Sequence, residues 1–190
     1  MTQSRPAVDL ASEMGARKAT SGSIVWDNRA AVLIVAGIGI ALLAVRLGTP
    51  FLVFNATASA PVGFYRVLAL LPLRRGDLVL VRTPVSVRTL AAERRYVPLT
   101  VPLVKRVAAL SGTTVCADGH KVIVDGRHVA DRLSVDRQGR PLPAWSGCRL
   151  LGADEIFLLM EDVQDSFDSR YFGPVPVEAA IGRLSPLWVR

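Results

Sequence analysis

Histidine, cysteine and lysine are all scarce in these 190 residues: there are two histidines, two cysteines, and, among 23 basic side chains, only the lysines Lys18, Lys105 and Lys121. Each shortage excludes some chemistry. Cys116, Cys148, His120 and His128 match no standard zinc spacing, so no metal is expected, and no cofactor either. Both histidines fall in or beside one predicted hairpin, which disfavours a Ser-His-Asp triad. Arginine cannot be deprotonated and lysine can, so an amine acting as a base must be one of three residues. The net charge of +7 comes without a basic run or an interleaving of basic and aromatic residues, so no nucleic-acid partner is expected. Internal repeats and low-complexity tracts are missing too. With 51% hydrophobic and 21% charged residues the chain is not a disordered one, and its length suits one domain plus an appendage.

What is there begins with residues 30–45, which carry no polar side chain and are bracketed by Arg29 and Arg46. As a helix this run spans about 24 Å, and snorkelling arginines with a further half turn bring it towards the ~30 Å of a bilayer core. Pro50 stops it. The expectation is a single transmembrane helix over 29–48. Arg5, Arg17, Lys18 and Arg29 put the arm over 1–28 in the cytoplasm and residues 49–190 on the periplasmic side of a bacterial inner membrane. A cleaved signal peptide is the rival, with Ala56-Thr57-Ala58 as its site, but that site lies more than ten residues past the apolar run. Cys116 and Cys148 both fall in the exported part, where a pair is the count expected of one disulfide.

Beyond the helix, short β-branched and aliphatic runs alternate with turn signals. Phe64–Leu71, Asp77–Val81, Leu103–Leu110, Lys121–Val124, Arg127–Val129, Ile156–Met160 and Ile181–Val189 read as strands, with Asp125-Gly126 as a two-residue hairpin turn. One short helix is expected over Ser86–Tyr96, with Ser86 as its cap and Val87, Leu90, Ala91 and Arg94 on one face. The fold class is therefore mostly β, with one short helix behind the membrane helix.

Three strings carry reactive groups. In the strand Leu103–Leu110, the residues Leu103, Lys105, Val107 and Ala109 share a face, placing an amine among aliphatic side chains, where burial lowers its pKa. Upstream stands Asn55-Ala-Thr57-Ala-Ser59-Ala-Pro61-Val-Gly63-Phe-Tyr65, in which Pro61 and Gly63 favour a bend that exposes Ser59. Near the end, Asp165-Ser166-Phe167-Asp168-Ser169-Arg170-Tyr171-Phe172-Gly173-Pro174 packs carboxylates, hydroxyls and a guanidinium together. Alone, each has a plainer account: a lysine at a strand edge, a polar turn leaving the membrane, a loop braced by Asp168 and Arg170.

In this order behind an apolar helix, the three strings resemble the signal peptidase I superfamily, above all its conjugative-transfer branch, the TraF-type peptidases. The resemblance runs over roughly residues 30–188. It implies Ser59 as nucleophile, Lys105 as general base, the Thr57 hydroxyl with the Ser59 amide as oxyanion hole, Ser166 orienting the amine, and Asp168 with Arg170 bracing the loop. A hydroxyl needs an adjacent base to attack an amide, and a desolvated lysine serves without histidine. Ala60 stands where many relatives carry methionine, and Glu161-Asp-Val-Gln replaces the Gly-Asp-Asn lead-in of housekeeping signal peptidases. The resemblance further implies a membrane-tethered, pilin-like precursor as substrate, the lipid bilayer as a contact, and other conjugative-transfer or type IV secretion components as partners. Two alternatives remain: a general type I signal peptidase, and a non-catalytic bitopic subunit of a conjugation apparatus.

Overall fold

A computed structural model describes residues 28–47 and 50–190. The expected cytoplasmic arm, up to residue 27, and the link at 48–49 lie outside the described residues. The chain divides at Leu47/Gly48 into two units, each taken by itself. The first contains helix α1, Asn28–Leu47. Its Val32, Leu33, Ile34, Val35 and Ile38 side chains are exposed, while those of residues 40–47 lie outside the description. Among the described residues no helix is long and apolar enough to cross a membrane.

The second unit is mostly β. A seven-stranded antiparallel sheet runs β1 (Leu52–Asn55), β2 (Gly63–Leu68), β11 (Ala180–Val189), β3 (Leu78–Val81), β4 (Leu103–Ala109), β9 (Glu155–Leu158) and β10 (Val175–Pro176). A four-stranded sheet runs β7 (Arg127–Asp131), β6 (Lys121–Val124), β5 (Thr114–Asp118) and β8 (Gly147–Leu150). Two short helices, α2 (Val85–Glu93) and α3 (Ser169–Phe172), and a 3-10 turn at Val177–Ala179 complete it. The expectation of one short helix is thus too low: α3 is a single turn, below the length at which an apolar period is readable. Ser86 does not cap α2 either. The helix starts one residue earlier, Pro84 holds the cap position, and no side chain caps it. Val87 and Ala91 are the residues it buries.

β4 is the strand around which the cores assemble. It is flanked by β3 on one side and β9 on the other, and of its seven residues only Arg106 is exposed. Strands buried on both faces read as continuous apolar runs, and this one does, apart from its two cations. Leu103 and Val107 join Val79, Val81, Ile156 and Leu158 in one core cluster. Ala108 joins Val115, Phe157 and Leu159 in a second. Val104 joins Ala60, Tyr65, Leu80 and Met160 in a third. Ala109 departs from the face expected of it: the ladder shifts register between Val107 and Ala109, and the slip turns Ala109 into the second cluster.

β2 lies between β1 and β11, so its first residue meets backbone on both sides. Gly63 has φ +154, and a Cβ there would sit 2.0 Å from the Trp188 carbonyl oxygen. Only glycine permits that approach, which closes the turn carrying Ser59 onto the sheet.

In the smaller sheet Cys116 and Cys148 are register partners on β5 and β8 and form a disulfide. β8 is exposed along its whole length, so apolar burial does little to hold it. The bond closes 32 residues of chain, which the chain-entropy account values at about 3 to 4 kcal/mol. Reduction, or the paired change of both cysteines to serine, is expected to lower stability by that amount. Denaturant melts with and without reductant measure it.

Candidate active site

The Ser59 turn is organised by a side chain that has no reactive role of its own. Asn55 ends β1 and is 5% exposed. Its Nδ2 donates to the carbonyls of Thr57 at 2.9 Å, Ala60 at 2.9 Å and Pro61 at 3.1 Å. Its Oδ1 accepts from the Thr57 amide at 3.2 Å and the Thr57 hydroxyl at 2.8 Å. This is an Asx-type turn extended over six residues. Tyr65 adds a second tie, its hydroxyl donating to the Pro61 carbonyl at 2.6 Å. Ser59 itself is half-buried, and its Oγ lies 3.2 Å from Thr57 Oγ1. Ala60 turns inward to the cluster that holds Val104, the neighbour of Lys105.

Lys105 is 2% exposed. Its register partner on β3 is Val79, which is fully buried. Its Nζ donates to Ser166 Oγ at 2.8 Å. Burial brings the amine down from 10.5 to about 8. The Asp168 carboxylate pulls the other way, the Arg170 guanidinium adds to the lowering, and Asp165 again opposes it. An amine in that range is partly neutral near neutral pH and can take a proton from a hydroxyl.

Ser166 is held in turn by the buried loop behind it. Asp168 and Arg170 are 0% and 1% exposed and form an ion pair at 2.8 Å. All five guanidinium N–H groups have acceptors: Asp168 through Nε and Nη2, the Asp131 and Gln164 carbonyls through Nη1, and the Met160 carbonyl through Nη2. The carboxylate also accepts from the Met160 amide at 3.1 Å and, as the cap of α3, from the Arg170 amide at 3.2 Å. Buried charges require this degree of pairing. Ser169 Oγ accepts from the Leu158 amide, fastening the same loop to β9.

The structure therefore joins Lys105, Ser166, Asp168 and Arg170 in one buried polar region, and Thr57 with Ser59 in a second. The Ala60–Val104–Met160 cluster lies beside both. Among the described residues no hydrogen bond links Ser59 to Lys105. Cys116 and Cys148 belong to the smaller sheet. Among the described residues no group of three or more His, Cys, Asp or Glu is placed to hold a metal; His128 meets Asp131 instead, at 3.0 Å. Sequence reasoning assigned nothing to Asn55, although its spacing of two from Thr57 is the signature of an Asx turn. It also missed the strap between β7 and β8. There Asp136 accepts from Tyr96 and Arg140, and Arg137 pairs with Asp165 at the edge of the Ser166 loop.

The chain is 36% identical over 138 residues to a probable conjugal transfer protein TraF of Sinorhizobium fredii, covering 67% of this chain and 72% of that one. It is 33% identical over 163 residues to a plasmid transfer protein TraF of Escherichia coli, covering 80% of this chain and 91% of that one. A signal peptidase I of Leptolyngbya laminosa is 30% identical over 112 residues, 59% of this chain and 51% of that protein. The family described as signal peptidase, peptidase S26, matches residues 26–188. That match takes in the Asn55–Tyr65 turn, the Lys105 strand and the Asp168–Arg170 loop together, and the chain belongs to the signal peptidase S26 family.

Proposed function

We propose that this chain is a membrane-anchored serine endopeptidase with a Ser59/Lys105 dyad that processes a membrane-tethered precursor, a pilin-like or mating-channel subunit of a conjugation system. The observation that carries the reading is a lysine amine 2% exposed, hydrogen-bonded to a single serine and lowered to about 8. Neutral Lys105 takes the Ser59 proton as Ser59 Oγ bonds to the scissile carbonyl carbon. The Ser59 amide and the Thr57 hydroxyl hold the resulting oxyanion. Protonated Lys105 then gives its proton to the leaving amine, and a water molecule, deprotonated by Lys105, releases the acyl group. Ser166 holds the amine in its place throughout.

The anchor in this reading is the apolar run over 30–45, whose Val32, Leu33, Ile34, Val35 and Ile38 are exposed. On the β unit the exposed rings of Phe54, Phe64 and Trp188 are neighbours, with centroids 4.9 Å and 6.4 Å apart, and Phe51 is 72% exposed. Such a contiguous aromatic edge suits a membrane surface. Enzyme and substrate held in one bilayer replace a three-dimensional encounter by a local one. The family and the TraF relatives support the conjugative substrate.

Co-expression with an epitope-tagged pilin-like precursor tests the proposal. Ser59→Ala is expected to leave the precursor at full length while ordinary secretory precursors mature normally. Undiminished processing by Ser59→Ala, with transfer still dependent on the chain, establishes the non-catalytic subunit instead. Accumulation of secretory precursors on depletion establishes a general signal peptidase.

A further inference from the structure

We infer that Asn55 is a positioning residue for the reaction, one that dictates which hydroxyl donates in the Thr57–Ser59 pair. The inference rests on the peptidase reading and adds to it a residue acting on the nucleophile through its neighbour. Donor and acceptor counts fix the orientation of the Asn55 amide. Three carbonyl oxygens, of Thr57, Ala60 and Pro61, lie within 3.1 Å of Asn55 Nδ2, and a carbonyl can only accept. The Thr57 amide lies 3.2 Å from Oδ1, and an N–H can only donate. No other orientation of the Asn55 amide satisfies these groups, so its oxygen faces Thr57.

Thr57 Oγ1 is 2.8 Å from that oxygen, and its single proton is therefore committed to Asn55. In the 3.2 Å contact between Thr57 Oγ1 and Ser59 Oγ the donor can then only be Ser59. The resting turn is a directed chain, Ser59 O–H to Thr57 O–H to Asn55 C=O. This direction matters twice during turnover. The Ser59 proton rests on Thr57 and must swing to the Lys105 amine before the oxygen attacks. The Thr57 hydroxyl has no proton for an oxyanion until it leaves Asn55 Oδ1, which still keeps the Thr57 amide. Asn55 thus holds the oxyanion donor in reserve and releases it as negative charge develops on the former carbonyl oxygen.

Full-length chain in detergent, assayed with a quenched-fluorescence peptide spanning the precursor's processing junction, tests this. Asn55→Ala is expected to lower kcat about tenfold or more with KM changed less than about twofold. In a Thr57→Val background, which has no hydroxyl to direct, the same substitution is expected to cost at least about threefold less in kcat, the remaining loss being that of the turn contacts Asn55 makes through Nδ2; residues acting as a unit show this non-additivity. Thr57→Ser, which keeps the hydroxyl, is expected to retain both the rate and the dependence on Asn55. Asn55→Asp keeps the shape and the Thr57 acceptor but sets an oxygen against the three carbonyls that Nδ2 served, and it carries the same comparison if Asn55→Ala does not fold. Its carboxylate grips the Thr57 proton more tightly, so kcat falls further where that hydroxyl is present than in Thr57→Val. An equal loss in both Thr57 backgrounds, or a loss expressed in KM, overturns the inference and leaves Asn55 a turn scaffold. Cleavage that persists in Ser59→Ala overturns the peptidase reading itself, a result separable from either.

Discussion

Lys105→Met is expected to abolish processing and, at neutral pH, to make the protein more stable. The two effects share one cause. The amine titrates at about 8 in the folded chain against 10.5 unperturbed, a difference worth roughly 3 kcal/mol against the ammonium. Below about pH 8 the amine is protonated in both folded and unfolded chains, and the folded one carries that penalty in full. Between about 8 and 10.5 the unfolded chain binds more protons, so wild-type stability rises with pH across this window. Methionine fills similar space without a charge. It loses the bond to Ser166, worth about 1 kcal/mol, and leaves that hydroxyl short of a partner at a cost of about the same size. The expected net gain near pH 7 is on the order of 1 kcal/mol, or about 2–4 °C in melting temperature for a chain of this size. Melts at pH 7 and pH 10 check it: the variant gains at the lower pH and loses that advantage at the higher. In the wild type, kcat/KM is expected to climb with pH along a limb centred near 8, since only neutral Lys105 accepts the proton. A flat profile between pH 6 and 9 would remove Lys105 from the reaction.

The depth of Lys105 was only half legible in the sequence. Its strand was, because β4 is apolar on both faces and a lysine in such a run has nowhere polar to point. The hairpin over Lys121–Val129 was legible too, from Asp125-Gly126, both of which adopt positive φ, 47° and 76°, although its second strand runs on to Asp131. What sequence periodicity could not reach was Ser166, 61 residues away, since that contact depends on how the Asp168–Arg170 loop folds back and is tied to the Leu158 and Met160 amides at the end of β9. Family resemblance suggested it; spacing did not. Strands β1, β5, β8 and β10 were missed for separate reasons, β10 because Val175–Pro176 is only two residues long. Leu52–Asn55 reads as a continuation of the apolar run behind Pro50. Thr114–Asp118 begins and ends on polar residues and buries only Val115 and Ala117, too few apolar positions to read. Gly147–Leu150 is exposed throughout and so has no alternation to read. The turn around Ser59 was seen from Pro61 and Gly63, but its organiser was not, because an asparagine in a strand end looks like punctuation until its acceptors are counted.

Asp168→Ala is expected to cost about 3–5 kcal/mol, the largest stability loss predicted for any single change in the region. The size of the loss comes from a carboxylate that does four things at once. It neutralises a guanidinium 1% exposed, accepts the Met160 amide that continues β9, caps α3, and lends its charge to the Lys105 amine. Alanine leaves Arg170 buried as an unpaired cation, which is far worse than having neither charge. The loss is therefore expected to exceed that of the double variant Asp168→Leu/Arg170→Met, in which no buried ion is stranded; denaturant melts of the two measure the difference. Asp168→Asn separates structure from chemistry. It keeps the shape and one acceptor oxygen but removes the negative charge that raises the Lys105 pKa. The ascending limb of kcat/KM is thus expected to move to lower pH in Asp168→Asn, even as stability falls. A limb that stays in place would show that the carboxylate fastens the loop without reaching the amine.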